Sequence, residues 1–313
     1  MGFASFLVRV ILTVALLALA VPAAAETLAF VRGGNIWVAG VDGSGARQLT
    51  SSGQDEGRPA VSPDGQWVAF QRATRTKQGF VMHLMRAPAG GGAAQPVSFK
   101  GVQEGWSPSF TLDGKQLIFV GLTDKRTEKD GETTATVFIA LGDLASGEVK
   151  SLAKAANHPV DFGYLYEAPV LSPDGGLIAY QESGTDVSGG FVILGAAGKR
   201  LKRFPPGKED YTPYWRPQFT RDGKEILCYS PVTSEGQVNR IYLVNLATLA
   251  KREVTRGLNP TFVEQGRAIV FERYRQGEGL STDNVPVDLW YLPLNGGEPK
   301  KILEDVRFPG GQR

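Results

Sequence analysis

Four aspartates, Asp64, Asp113, Asp174 and Asp222, each stand directly before a glycine in the strings "SPDG", "TLDG", "SPDG" and "TRDG". Carboxylates recurring at fixed places in a fold are the raw material of a metal site or of general acid and base chemistry. The same pair of residues between two apolar runs is also turn chemistry, because glycine accepts φ > 0 and a short polar side chain caps its own backbone. The flanks decide between the two. "RPAVSPDGQWVAF" from Arg58, "SPSFTLDGKQLIF" from Ser107, "APVLSPDGGLIAY" from Ala168, "RPQFTRDGKEILCY" from Arg216 and "NPTFVEQGRAIVF" from Asn259 are copies of one unit, with turn glycines 43 to 61 residues apart. A side chain repeated in copy after copy belongs to the scaffold, so no catalytic residue and no metal ligand is assigned among these aspartates.

The residues ahead of the repeated prolines Pro59, Pro108, Pro169, Pro217 and Pro260 behave differently. Arg58, Trp106, Glu167, Trp215, Arg216 and Asn259 fall there, with Tyr164, Tyr166, Tyr211 and Tyr214 beside them. Trp, Tyr and Arg dominate binding hot spots because they combine a large area to desolvate with a polar handle. The cluster Arg58, Trp106, Tyr164, Tyr166, Glu167, Tyr214, Trp215, Arg216 and Asn259 is therefore the expected binding site. Its competing role is structural, with the aromatics sealing the interior and the arginines paired to Glu104, Glu167 or Asp210.

These positions need a framework, and the repeat supplies one. Each turn is followed by an apolar strand, then by a run rich in β-branched and aromatic residues: "FVMHLM", "TVFIAL", "FVILG", "RIYLVNL" or "DLWYLPL". A Gly or Ala turn and a polar fourth run such as "GEVKSL" or "KREVT" complete the unit. Four antiparallel strands with this period make a WD-like unit, the blade of a propeller. The start of the chain enters partway through the pattern, with "LAF" from Leu28 as a second strand, "NIWVAGVDG" from Asn35 as a third and "ARQLT" from Ala46 as a fourth. The missing first strand is sought at the other end, where "VRFPGGQR", residues 306–313, reads as a degenerate "AVSPDGQW". The expected fold is thus all-β, a six-bladed propeller of four-stranded antiparallel blades. Pairing of the N- and C-terminal strands closes it and removes the exposed edges.

In this order the turns between first and second strands share one face with those between third and fourth. The longer segments "GLTDKRTEKDGETTAT", "AKAANHPVDFGYLYEA", "PPGKEDYTPYW" and "YRQGEGLSTDNVPV" are expected as loops on the opposite face, which also carries the tunnel mouth. Long loops on a rigid scaffold are where function usually resides. The segment "DKRTEKDGE" from Asp124 offers oxygen ligands for Ca²⁺ but lacks calcium-loop spacing and reads as a solvated hairpin tip.

The first 25 residues hold Arg9, an apolar run from Val10 to Ala20, Pro22 and the small residues Ala23 to Ala25. That is the layout of a secretory signal peptide cleaved after Ala25, leaving 26–313 as a single propeller domain, periplasmic or secreted and not membrane-spanning. With 34 basic and 32 acidic residues the chain is nearly neutral, which argues against nucleic acid as a partner. The lone cysteine, Cys228 in "EILCYS", excludes an internal disulfide and reads as a small buried hydrophobe. Only His83 and His158 are present; His83 in "FVMHLM" is expected to be packed, and His158 is the one candidate for chemistry. There is no G-x-S-x-G, H-E-x-x-H or Walker sequence. A monomeric binding or scaffold module without a cofactor is favoured over a lyase-like or lactonase-like enzyme using a carboxylate-bound metal, or a binder of cell-wall glycan.

The repeats resemble the TolB-like propeller family, in which a proline precedes a strand, then Ser-Pro-Asp-Gly, an Ile-Ala-Phe strand and a unit ending in Leu-Thr. Residues 58–70 and 168–180 match best, and "RQLT" at 47–50 and "REVT" at 252–255 match the unit's end. The resemblance implies a propeller that binds an envelope protein or peptide. The family's namesake carries an α/β domain ahead of its propeller. Here the first strand is expected from about Thr27, which leaves no room for that domain and puts a full role in the Tol-Pal system in question.

Overall fold

The computed structural model describes residues 26–77, 79–127, 132–159, 166–184, 187–204, 214–232, 238–275 and 286–311. The expected signal peptide lies outside them. The described residues form six four-stranded antiparallel sheets. Blade 1 runs from an innermost strand, Asp55–Val61, through Trp67–Thr76 and Gly79–Pro88 to Gln95–Pro96. Blades 2 to 5 repeat this order from the innermost strands Glu104–Phe110, Tyr166–Leu171, Trp215–Phe219 and Leu258–Val263. Blade 6 draws on both ends of the chain: Arg307–Gly310 is innermost, followed outward by Thr27–Arg32, Asn35–Gly40 and Arg47–Gln48. Its innermost strand lies between those of blades 5 and 1, so the ring is closed.

The closing strand pairs with Thr27–Arg32 as expected, but in a different register from the one its sequence suggests. Ala29 faces Gly310 and Val31 faces Arg307, so Phe308-Pro309 occupies the place of Arg58-Pro59 and the match is to "GRPA", not to "SPDG". The two glycines after Pro309 imitate a turn for a packing reason. A Cβ at Gly310 would lie 2.1 Å from the Pro59 carbonyl oxygen, and one at Gly311 would lie 2.1 Å from that of Phe262. Glycine is required there because neighbouring inner strands approach backbone to backbone near the axis.

At the opposite end of the inner strands the Asp-Gly turns are built alike. Ser62 Oγ donates to Asp64 Oδ1 (2.5 Å), as does the Gln66 amide (3.0 Å), while the Trp67 amide donates back to Ser62 Oγ (2.9 Å). Thr111 with Asp113, Ser172 with Asp174 and Thr220 with Asp222 reproduce the arrangement. In all four the hydroxyl and amide donors hold the carboxyl below the usual carboxylate range, as donors to the charged form do. Blade 5, with "VEQG", lacks both the hydroxyl and the aspartate. It turns through a short 3-10 helix, Glu264–Gly266, with Glu264 and Gln265 at φ of 52° and 57°.

Two segments expected as long loops are strands. Gln116–Thr127 and Thr133–Asp143 extend as a hairpin in which Thr127 faces Thr133, and Val149–Pro159 forms the outer strand of blade 2. Their polar residues suggested loops because these strands project past the core: the outer one is exposed or half-buried along its length apart from Leu152, and pairs with a neighbour on one side only. The candidate calcium segment is mostly strand up to Thr127, and its tip at 128–131 lies outside the described residues, as do 160–165, 205–213 and 276–285. Among the described residues no helix is long and apolar enough to cross a membrane.

Candidate functional site

Six residues immediately before the inner-strand prolines adopt the same left-handed backbone: Arg58, Ser107, Ala168, Arg216, Asn259 and Phe308, with φ between 47° and 54°. This is uncommon for any non-glycine residue, and a following proline disfavours helical backbone further. In each blade the pair sits at a shift of register between innermost and second strand, for example between Gly57 and Ala60 or between Trp215 and Gln218. A bulge of this kind bends the strand and re-aims its side chain. Repeated six times, it rings the axis with one backbone geometry and six side chains. Four of them, Arg58, Ser107, Ala168 and Arg216, line a cavity of about 70 Å³ together with Pro59, Pro108, Pro169, Pro217 and Pro309.

A second set of residues fixes three of the six. The residue after the aromatic or apolar end of the second strand is polar in alternate blades and reaches the next blade's left-handed residue. Gln71 Oε1 accepts the Ser107 amide (3.0 Å), Gln181 Oε1 accepts the Arg216 amide (3.4 Å), and Glu272 Oε1 accepts the Phe308 amide. The intervening blades have Val120, Tyr229 and Val31 at this position. Glu272 is 1% exposed, and burial pushes its carboxyl up to about 7 against the opposing pull of the Phe308 amide, Asn259, Arg216 and Arg307. Burial and the nearby positive charge of Arg58 bring the Arg216 guanidinium down to about 10.

The predicted cluster divides. Arg58 Nη2 donates to Glu167 Oε2 at 2.9 Å, a half-buried pair reaching from blade 1 to blade 3. Arg58 and Arg216 both stand over the Phe308 ring, at 5.4 and 5.5 Å from its centroid. Asn259 is buried and hydrogen-bonded to Glu272. These four predicted residues therefore meet at the tunnel mouth. Trp106, Tyr166 and Tyr214 are instead enclosed between blades: Tyr166 packs edge-on against Tyr180 (5.2 Å), and Tyr214 packs against Phe204 (4.7 Å) and accepts from Lys251. Trp215 is half-buried, edge-on to Tyr229 at 5.4 Å. Tyr164, Tyr211 and Asp210 lie outside the described residues. Glu104 is paired to Lys125 and the Met82 amide, not to an arginine of the mouth.

Sequence reasoning missed Phe308 and Glu272. Phe308 was legible as the sixth residue before a repeated proline once "FPGG" was set beside "RPAV"; Glu272, in "VFER", was legible as the third member of the series Gln71, Gln181. His83 is exposed, contrary to expectation, because Met82 and Leu84 take the inward positions of the strand. His158 lies on the outermost strand of blade 2, whereas the cavity is lined by innermost strands. Cys228 is fully buried, which pushes its thiol upward and leaves it inert. Among the described residues no three His, Cys, Asp or Glu side chains converge as a metal site would require.

No protein-family model and no curated protein matches this sequence. Solved structures do. TolB from Acinetobacter baumannii superposes with a TM-score of 0.65 at 19% identity over 92% of this chain, which spans 66% of that protein's length. A structure assigned to TolB from Agrobacterium tumefaciens gives 0.61 at 16% identity, covering 89% of this chain and 88% of that one. An oligogalacturonate lyase in complex with manganese gives 0.55 at 17% identity, covering 86% and 70%. At these identities the likeness establishes the fold, a TolB-like six-bladed propeller.

Proposed function

We propose that this TolB-like propeller is a periplasmic or secreted protein-binding module of the cell envelope, docking an envelope protein or peptide over the tunnel mouth. The observation that carries this reading is the ring of six identical left-handed bulges whose side chains differ: two of them are arginines stacked over one phenylalanine. Strained backbone held by a rigid scaffold is characteristic of ligand-binding positions, and arginine with aromatic residues is the composition of interface hot spots. The TolB structures support the envelope setting, and residues 1–25 would supply the export signal. The docking is expected to be close to rigid-body, with the chain acting as a monomer.

The test is affinity capture from an envelope extract, with the folded protein beside an Arg58→Ala, Trp215→Ala, Arg216→Ala variant of unchanged circular dichroism. A partner held by the first and lost by the second supports the reading and locates the face. Retention by both would move the site elsewhere. A second reading, an oligosaccharide lyase, is favoured by the manganese-bound lyase structure. Formation of unsaturated product from oligogalacturonate with added Mn²⁺ would establish it.

A further inference from the structure

We propose that the tunnel mouth is a receptor for a single carboxylate, taken up by Arg216 and Ser107 beside Arg58. The proposal rests on the reading of this face as the binding face and specifies what the partner must present there.

Three observations converge. Arg216 Nη1 is enclosed yet has no hydrogen-bond partner among the described residues, and Ser107 Oγ, on a residue only 4% exposed, is in the same condition. Both residues line the same cavity. Buried donors without acceptors are costly, and two that line one cavity mark a place where an external acceptor fits.

The local carboxylates do not fill that place. Glu167 is engaged by Arg58, and Glu272 accepts the Phe308 amide and bonds to Asn259. Arg216 forms no ion pair with a described residue. Arg216 thus has no hydrogen-bonded counter-charge among the described residues, Glu272 and Glu167 acting on it only through space, which leaves its donors open to one monoanion. The cavity of about 70 Å³ takes a handful of waters, or one carboxylate and the atoms that carry it.

A carboxylate of this kind comes either from a chain terminus or from an Asp or Glu side chain at the tip of a partner loop. Calorimetric titration of the full chain at low ionic strength separates them. The probes are acetyl-Gly-Gly-Gly with a free terminal carboxylate, acetyl-Gly-Glu-Gly amide, the neutral acetyl-Gly-Gln-Gly amide and inorganic phosphate. At least one carboxylate peptide is expected to bind at least ten-fold more tightly than the neutral peptide and than phosphate, and the stronger of the two names the source. Arg216→Gln is expected to weaken it at least ten-fold, Ser107→Ala about three-fold, and Lys100→Gln, in a remote exposed pair with Glu148, not at all. Ser107→Ala keeps the test open if the arginine variant does not fold. Equal binding of the neutral peptide, tighter binding of phosphate, absence of carboxylate binding, or indifference to both mouth variants overturns the proposal. Carboxylate binding without any captured envelope protein would sink the protein-binding reading alone. A captured partner that the Arg216→Gln variant still holds would sink this one alone.

Discussion

The two ends of each innermost strand solve opposite problems. At the turn end both backbone and side chains repeat: a hydroxyl, an aspartate and a glycine cap one another four times over. At the mouth end the backbone and the proline repeat, while the side chains before that proline run Arg58, Ser107, Ala168, Arg216, Asn259, Phe308 around the ring. A side chain that is consumed in holding its own turn must recur wherever the turn recurs. A side chain whose backbone is fixed by a bulge, a proline and, in alternate blades, a neighbour's acceptor is released from that duty and can vary. The same contrast separates two kinds of carboxylate, the Asp64 type, held low by its donors, and Glu272, held high by burial.

The sharpest way to break the comparison is at the closure, where blade 6 is equivalent to the others only if its innermost strand is. Deleting Val306 to Arg313 removes the fully buried Val306, exposes the edge of Thr27–Arg32 and leaves Glu272 without the Phe308 amide. A melting temperature lower by about 10 °C or more is expected by calorimetry, since each kcal/mol lost is worth roughly 2 to 4 °C in a chain of this size. An unchanged transition would mean that the terminal strand is an accessory to a ring already stable without it.

Glu272 comes next. Its folded value of about 7 lies above the ordinary 4.5, so between those limits the folded chain keeps a proton that the unfolded chain has released. Stability is therefore full below pH 4.5 and declines as pH rises through 7, by about 3 kcal/mol at most for this buried group. Glu272→Gln keeps the acceptor for Phe308, as Gln71 and Gln181 do in the other two latches, and removes the charge. The variant is expected to melt higher than the native chain at pH 8 and equally at pH 4.5. A native and a variant curve that stay parallel from pH 4.5 to 8 would show that Arg216 and Arg307 already neutralise the carboxylate.

The turn end was legible because its chemistry is local: "SPDG" names its own hydrogen bonds, and the spacing of its copies names the propeller. The mouth was legible only in part. The residues ahead of each proline were visible as a class, and Arg58, Glu167, Arg216 and Asn259 do meet. Trp106, Tyr166 and Tyr214 have the same hot-spot composition but go into the gaps between blades, because sequence position alone does not tell which side of a bulge a ring will take. Phe308 was hidden by glycines that resemble a turn and serve close packing. Glu272 was hidden because its partner lies 36 residues away in another blade.

The smallest effects on stability give the cleanest test of the division of labour. Asp64→Ala removes the cap on Ser62 and on the Gln66 amide, and is expected to cost about 1 kcal/mol while leaving capture of a partner unchanged. Arg58→Ala removes one half-buried ion pair and one contact with Phe308, and is expected to cost about 1 kcal/mol or less while weakening capture several-fold. The two substitutions are nearly matched in stability and differ in the end of the strand they touch, so a difference in binding cannot be assigned to general loosening. If Asp64→Ala weakens binding as much as Arg58→Ala does, the turn face is also an interface, and repetition of a side chain no longer marks it as scaffold.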